Sequence, residues 1–322
     1  MDEFDRDREE STKIAKLLGV IICILLLLGG VATYIFISHE TRSFKIDKNN
    51  VNDLINQTKD VIANQEIEIE KLNEEIEKNS QVNDLIEQLK KEYVELTSKL
   101  ENKIILEETD AKIAYLTFDD GPYLKTNNFL DVLEENNVYA TFFCLEKSTN
   151  TGFDEEDEEA LSEIYERIIN SPHTLANHTA DHNLKKNNNG IYNSVDNFMD
   201  SILENRKFIE DKYGYTTTIA RFPGGSETAG ELKAEITKRL FAEGYGYVDW
   251  NSASGDGETN VSIEQSIKNV LDTTNNRDIL VVLMHDYSDN TLASLPQIID
   301  GLKKQGYTML PLFYESTMII KK

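Results

Sequence analysis

His178 and His182 stand four residues apart, a one-turn spacing that lets two imidazoles meet a single cation. Asp119 and Asp120 are adjacent within Thr117-Phe118-Asp119-Asp120-Gly121-Pro122. Two histidines and one aspartate make a three-ligand set that leaves metal positions open for water and a substrate. Three more polar clusters follow: Arg221-Phe222-Pro223-Gly224-Gly225, then Asp249-Trp250-Asn251 leading to Asp256, then Leu283-Met284-His285-Asp286. Taken singly, each has an ordinary structural reading. Paired aspartates before Gly-Pro make turns, Arg221 can be a surface cation, and His285 can be a satisfied histidine near a core strand. What singles them out is their order, because each cluster closes a segment that reads as a strand.

Those strands are predicted at 113–118, 139–145, 174–177, 218–222, 245–249, 279–284 and 307–310. Helical patterns lie between them at 127–135, 158–169, 195–213, 231–243, 263–273 and 292–304. Strands separated by helices imply parallel pairing through right-handed crossovers. The expected class is therefore α/β, with seven strand units forming a distorted (β/α) barrel over residues 111–322. Functional groups of such barrels gather at the C-terminal ends of the strands. The acidic run Asp154 to Glu159 reads as a solvated surface insertion leading into a helix.

The chain has 322 residues and a formal net charge of −25, an acidity that argues against nucleic acid as a partner. Its only cysteines, Cys23 and Cys144, exclude a disulfide framework and any cysteine-based zinc knuckle. From Leu17 to Ser38 there is no charged residue, and roughly 20 apolar residues suffice to cross a bilayer as a helix. The run is too long for a signal-peptide core and offers a poor cleavage site. Residues 1–16 are thus expected as a cytoplasmic tail and 17–38 as a transmembrane helix. Arg6, Arg8, Lys13 and Lys16 before it, against Arg42, Lys45 and Lys48 after it, favour an inside N-terminus. Residues 39–110 are expected as a helical coiled-coil stalk. Ile55, Ile62, Ile69 and Ile76 keep a seven-residue spacing, and Val82, Ile86, Leu89, Tyr93, Leu96 and Leu100 continue it after a break near Asn79. Such a stalk would reach roughly 80 Å and would pair as a parallel homodimer, the alternatives being a solvated single helix or one folded back on the domain.

In these five ordered motifs, from about Lys112 to the C-terminus, the chain resembles the polysaccharide deacetylase (NodB-homology) family of metal-dependent carbohydrate esterases. The resemblance implies a distorted (β/α) barrel that hydrolyses acetyl groups on glycans. It implies Asp120, His178 and His182 as ligands of one divalent metal, zinc before Co, Ni, Fe or Mn. It further implies Asp119 as general base, Arg221 to orient and charge it, His285 as general acid and the Gly224 N–H as oxyanion donor. Two positions depart from the family pattern: Asn183 replaces a proline, and Gly224 an aromatic residue. The fourth motif maps either onto Ala253–Gly257, with Asp256 as the working carboxylate and the tryptophan lost, or onto Asp249 beside Trp250. Asp256 is preferred because functional groups of barrels lie on the loops past the strands.

The resemblance leads to an expected membrane-anchored enzyme removing N-acetyl groups from a cell-wall glycan, first of all N-acetylglucosamine of peptidoglycan. It would sit in the plasma membrane as a single-pass protein with its catalytic domain outside. Alternatives are deacetylation of muramic acid residues, a chitin-type oligomer or an exopolysaccharide, and a non-catalytic, membrane-tethered glycan-binding protein.

Overall fold

The eight residues of β1 (Lys112–Asp119) are buried from the second onward, as a parallel strand covered on both faces requires. The computed structural model that contains it describes residues 82–146, 157–185, 190–258, 261–274 and 277–321. The expected tail and membrane helix, the stalk as far as residue 81 and the acidic run up to residue 156 lie outside the described residues. Among the described residues, no helix is long and apolar enough to cross a membrane.

A helix, α1 (residues 82–105), precedes β1. Then come α2 (Thr126–Glu135), β2 (Thr141–Cys144), α3 (Asp157–Ile169), β3 (Thr174–Asn177), α4 (Val195–Tyr213) and β4 (Ile219–Ala220). The chain goes on through α5 (Lys233–Ala242), β5 (Gly246–Tyr247), β6 (Ser252–Ala253), α6 (Ile263–Asp272), β7 (Ile279–His285), α7 (Asp289–Lys304) and β8 (Tyr307–Met309). Strand order is β5-β4-β3-β2-β1-β7-β6, with β8 also paired to β1. All these pairings are parallel.

Connectivity forces this sheet to curl. β5 and β6 occupy opposite ends of the strand order, yet only residues 248–251 separate them in sequence. Six interstrand steps of a flat sheet would span about 29 Å, whereas five extended residue steps reach about 17 Å at most. The two ends must therefore approach each other, giving a curled half-barrel.

The strands match the predicted ones apart from the addition of β6. Two residues are too few to show a hydrophobic period, and β6 is defined only by its pairing with β7, Ser252 beside Val282. One helix also starts later than predicted. The chain makes 3₁₀ turns over Ser226–Leu232 around Gly230, whose φ is +54°, before α5 begins at Lys233.

Alternation along the strands separates an outer face from an inner one. Ala114, Leu116 and Phe118 of β1 join Phe142, Val282 and Met284 in an outer layer packed on α2 and α7. Ile113, Tyr115, Phe143, Ala176, Ile219 and Val281 fill the inside of the curl. Ile104 belongs to this inner cluster, with Tyr93 and Leu100 packed against it. The Tyr93 ring meets Tyr139, just before β2, at 5.3 Å. Thus α1 closes the N-terminal end of the curl, and it lies in one compact unit, Asn79–Lys322, with the strands.

The buried side of α1 keeps Tyr93 and Leu100 of the predicted seam but departs from it elsewhere. Leu96 is exposed, while Thr97, Glu101 and Ile104 are buried. A straight helix of 3.6 residues per turn drifts off a seven-residue repeat, and the barrel follows the drifted face. Glu101 anchors it: the Tyr115 hydroxyl donates to its Oε1 at 2.7 Å, as does Thr317 Oγ1 at 2.9 Å, and the Thr317 N–H reaches its Oε2 at 3.0 Å. Glu101→Ala would leave the buried Tyr115 hydroxyl without its acceptor and is expected to cost about 2 kcal/mol of stability, with Glu101→Gln costing less. Urea unfolding monitored by circular dichroism checks this; a loss under about 0.5 kcal/mol would contradict the anchoring role.

Candidate active site and metal centre

The inner rows of the strands continue, two residues at a time, into polar groups at the C-terminal ends. Ile113 and Tyr115 lead to Thr117 and Asp119, Ala176 to His178, Ile219 to Arg221, and Val281 to Leu283 and His285. Register aligns the rows, with Asp119 beside His285 across β1 and β7. Asp120, the next residue, would by alternation face the other way. Its φ of +70° redirects the chain and brings its carboxylate to the same point. Aspartate tolerates this left-handed backbone better than most residues. Thr179 (φ +73°) and His182 (φ +49°) share it, and such strain persists only where the surroundings over-determine it. Gly121 follows because of space: a Cβ there would lie 2.5 Å from Asp286 Oδ2.

Asp120, His178 and His182 offer ligand atoms that all lie within 4.8 Å of one another. Asp120 Oδ1 is 3.4 Å from His178 Nε2 and 3.6 Å from His182 Nε2. Atoms bound at about 2.1 Å to one tetrahedral cation lie about 3.4 Å apart, so the set fits a single ion. His178 Nδ1 is 2.9 Å from the Arg221 carbonyl oxygen. A carbonyl can only accept, so Nδ1 carries a proton and Nε2 is left to face the cluster. Burial and neighbouring His178 lower the pKa of His182, which keeps its imidazole neutral with a lone pair to give. For Asp120, burial works against the charge. The imidazoles of His178, His182 and His285 around it outweigh that and hold its carboxyl well below the usual range.

Two further units flank this cluster. On one side, Arg221 has no solvent exposure and donates from Nη1 to Asp119 Oδ1 at 2.8 Å and to Thr117 Oγ1 at 2.7 Å. Its Nε donates to the Val248 carbonyl at 3.1 Å, and its Cζ lies 4.0 Å from the centre of the Phe143 ring. Asp119 Oδ2 remains on the cluster side, 3.7 Å from His178 Nε2. On the other side, His285 Nδ1 is 2.8 Å from Asp256 Oδ1, while the His285 N–H and Thr291 Oγ1 both donate to Asp256 Oδ2, at 2.8 and 2.6 Å. His285 Nε2 points inward, 3.8 Å from Asp120 Oδ2. Burial alone would lower the pKa of His285, but the Asp256 carboxylate outweighs it and raises it to about 9.

The structure separates the two aspartates left open for the fourth motif. Asp256 is bonded to His285, whereas Asp249 accepts from the N–H and hydroxyl of Ser226 and fixes the turn after β4. Gly224 sits three residues past Arg221 on that turn. Gly225 N–H bonds the Phe222 carbonyl, and Gly224, with φ +74°, occupies the third position of a Pro-Gly type II turn. Its own N–H stands outside the turn's hydrogen bond; its carbonyl accepts from Thr228 Oγ1. Thr117 and Thr291 are working residues that the sequence reading missed. Thr117 was findable as the residue two before Asp119 on the same strand face. Nothing local marks Thr291, which lies 35 positions from Asp256.

Comparison with known proteins bears on the family and the fold. The family described as polysaccharide deacetylase matches residues 106–240. A peptidoglycan-N-acetylglucosamine deacetylase of Bacillus cereus is 31% identical over 212 residues, which are 63% of this chain and 68% of that protein. The crystal structure of the catalytic domain of peptidoglycan N-acetylglucosamine deacetylase from Eubacterium rectale superposes with a TM-score of 0.56 at 34% identity, covering 66% of this chain and 93% of that one. A polysaccharide deacetylase from Bacillus cereus gives 0.54 at 27% identity, covering 65% and 96%.

Elemental analysis is expected to find about one divalent cation per chain, lost at least tenfold in Asp120→Ala and His178→Ala but retained in Asp256→Asn. In chelator-treated protein the His285 imidazole should titrate near pH 9, and Asp256→Asn should return it towards about 6.5. The folded state holds this proton more tightly than the unfolded chain. It therefore adds stability below about pH 6.5 that is lost as pH rises through the folded value. An NMR titration in which Asp256→Asn leaves the His285 midpoint unmoved would contradict the assignment.

Proposed function

The chain belongs to the polysaccharide deacetylase family, and from that premise we propose that it hydrolyses N-acetyl groups on a cell-wall glycan, with N-acetylglucosamine of peptidoglycan as the substrate. The observation that carries this reading is a division of labour around one point. Asp119, tied to Arg221, and His285, tied to Asp256, face the Asp120–His178–His182 cluster from two sides.

A divalent cation held by Asp120, His178 and His182, zinc first, would supply a Lewis acid that activates water at neutral pH and polarises the acetyl carbonyl. Arg221 occupies Asp119 Oδ1, so Oδ2 is the oxygen that takes the proton from the attacking water. The Gly224 N–H would steady the charge that develops on the carbonyl oxygen. Breaking the carbon–nitrogen bond expels an amine that needs a proton. His285 delivers it from Nε2, since Nδ1 is engaged by Asp256, and a pKa of about 9 keeps that proton in place at neutral pH. Water and amide become acetate and a protonated amine, and the proton gained by Asp119 balances the one given up by His285 when the free enzyme resets.

Peptidoglycan is favoured because the Bacillus cereus and Eubacterium rectale relatives are named for it. A net charge of −25 also suits a neutral sugar backbone better than a polyanion. We place the catalytic domain outside the plasma membrane, tethered by the uncharged stretch Leu17 to Ser38.

Purified protein is expected to release acetate from peptidoglycan and to lose most of that activity with a chelator. Asp119→Asn and His285→Ala should each lower kcat about 10²-fold or more while keeping the bound metal. Muramic-acid glycan, chitin oligomers and exopolysaccharide run in parallel would reassign the substrate if one of them is preferred. Absence of acetate from all four would refute the reading.

A further inference from the structure

Beside His285 the rim of the site turns apolar. Tyr287, two residues on, is 37% exposed, and Leu124 on the loop after β1 is 44% exposed. The Tyr287 ring leans over the His285 imidazole, with centroids 5.2 Å apart and planes at 34°. Behind it the buried Tyr123 ring meets it edge-on at 5.5 Å and 77°. Lys125 Nζ bonds the Tyr287 carbonyl at 3.1 Å and also pairs with Asp289, tying the two loops together. Leu124 is therefore held between two residues that both touch Tyr287 or its backbone. Past Asp256, Gly257 adds no side chain next to His285; a Cβ there would sit 3.3 Å from His285 Cε1. The flank of the general acid at this point is thus a backbone segment on the Gly257 side and a partly exposed tyrosine, Tyr287, on the other.

A partly exposed aromatic side chain next to a catalytic group offers a ligand in the cleft a surface to cover. On the deacetylase reading, the ligand that passes over His285 is a sugar chain. A pyranose has a hydroxyl-bearing edge and a C–H-bearing face, and that face is the natural partner for a flat aromatic ring. We propose that Tyr287, flanked by Leu124, is the platform on which the sugar next to the reacting residue stacks, so that the enzyme selects oligomers over single sugars. This inference rests on the glycan reading above. It adds that recognition extends beyond the acetylated sugar and that the residue responsible is Tyr287.

The test compares a β-1,4-linked N-acetylglucosamine pentasaccharide with a small aryl acetate ester, which has no neighbouring sugar. Tyr287→Ala is expected to raise KM for the pentasaccharide about tenfold with kcat within about threefold, and to lower kcat/KM for the ester far less. Tyr287→Phe keeps the ring and should restore pentasaccharide KM to within about twofold of the parent. Leu124→Asn, on the other loop, should raise the same KM by a smaller factor. Calorimetric binding of the pentasaccharide to chelator-treated protein gives a readout independent of turnover, and Tyr287→Ala should weaken it about tenfold. Equal losses on ester and pentasaccharide, no loss on either, or a Phe variant as poor as Ala would overturn the platform. If the parent protein binds the pentasaccharide through Tyr287 yet deacetylates no glycan, the platform stands and the deacetylase reading falls.

Discussion

A guanidinium without access to solvent is the constraint that organises this molecule. A buried Arg221 is tolerable only if its charge is compensated and its donors find acceptors. The acceptors come from separate strands: Thr117 and Asp119 from β1, and the carbonyl of Val248 past β5. Its own carbonyl takes the proton of His178 Nδ1 beyond β3. One side chain thus sets the spacing of three strand ends, the orientation of one imidazole and the free oxygen of one carboxylate. Its planar fork suits this, since it donates in fixed directions that an ammonium could not reproduce.

Around that hub, chemically similar groups acquire different tasks from their surroundings. Asp119 and Asp120 are neighbours in sequence, yet one is paired with a guanidinium and the other is surrounded by imidazoles. The histidines divide likewise. His178 bonds a carbonyl and presents a nitrogen to the cluster, while His285 bonds a carboxylate and retains its proton. The partner of each group, rather than its type, decides which atom it turns toward the shared point.

The opposite end of the curl shows the same economy in stability. α1 covers the N-terminal mouth with the apolar face of a helix, and Glu101 closes the remaining polar requirement by accepting from Tyr115 and Thr317. The segment joining the domain to everything N-terminal of it is therefore part of its core. At the other end, among the described residues, the rim carries exposed side chains such as Tyr287 and Leu124.

Much of this was legible in the linear chain. Strand and helix alternation, the parallel class and the five polar clusters follow from hydrophobic period and turn chemistry, both local properties. So do the inner positions of Asp119, His178, Arg221 and His285, because side chains alternate along a strand. The direction of α1 was not legible: its stripe fits a partner helix as well as a barrel mouth, and only a tertiary surface chooses. Nor was the two-residue β6, which exists only through pairing with β7. Asp249 and Asp256 were both chemically suitable, and what separated them was which carboxylate lay within hydrogen-bond reach of His285. Sequence spacing determines which residues can share a face; where two faces meet, and so which buried charge must answer another, depends on contacts between residues a hundred positions apart.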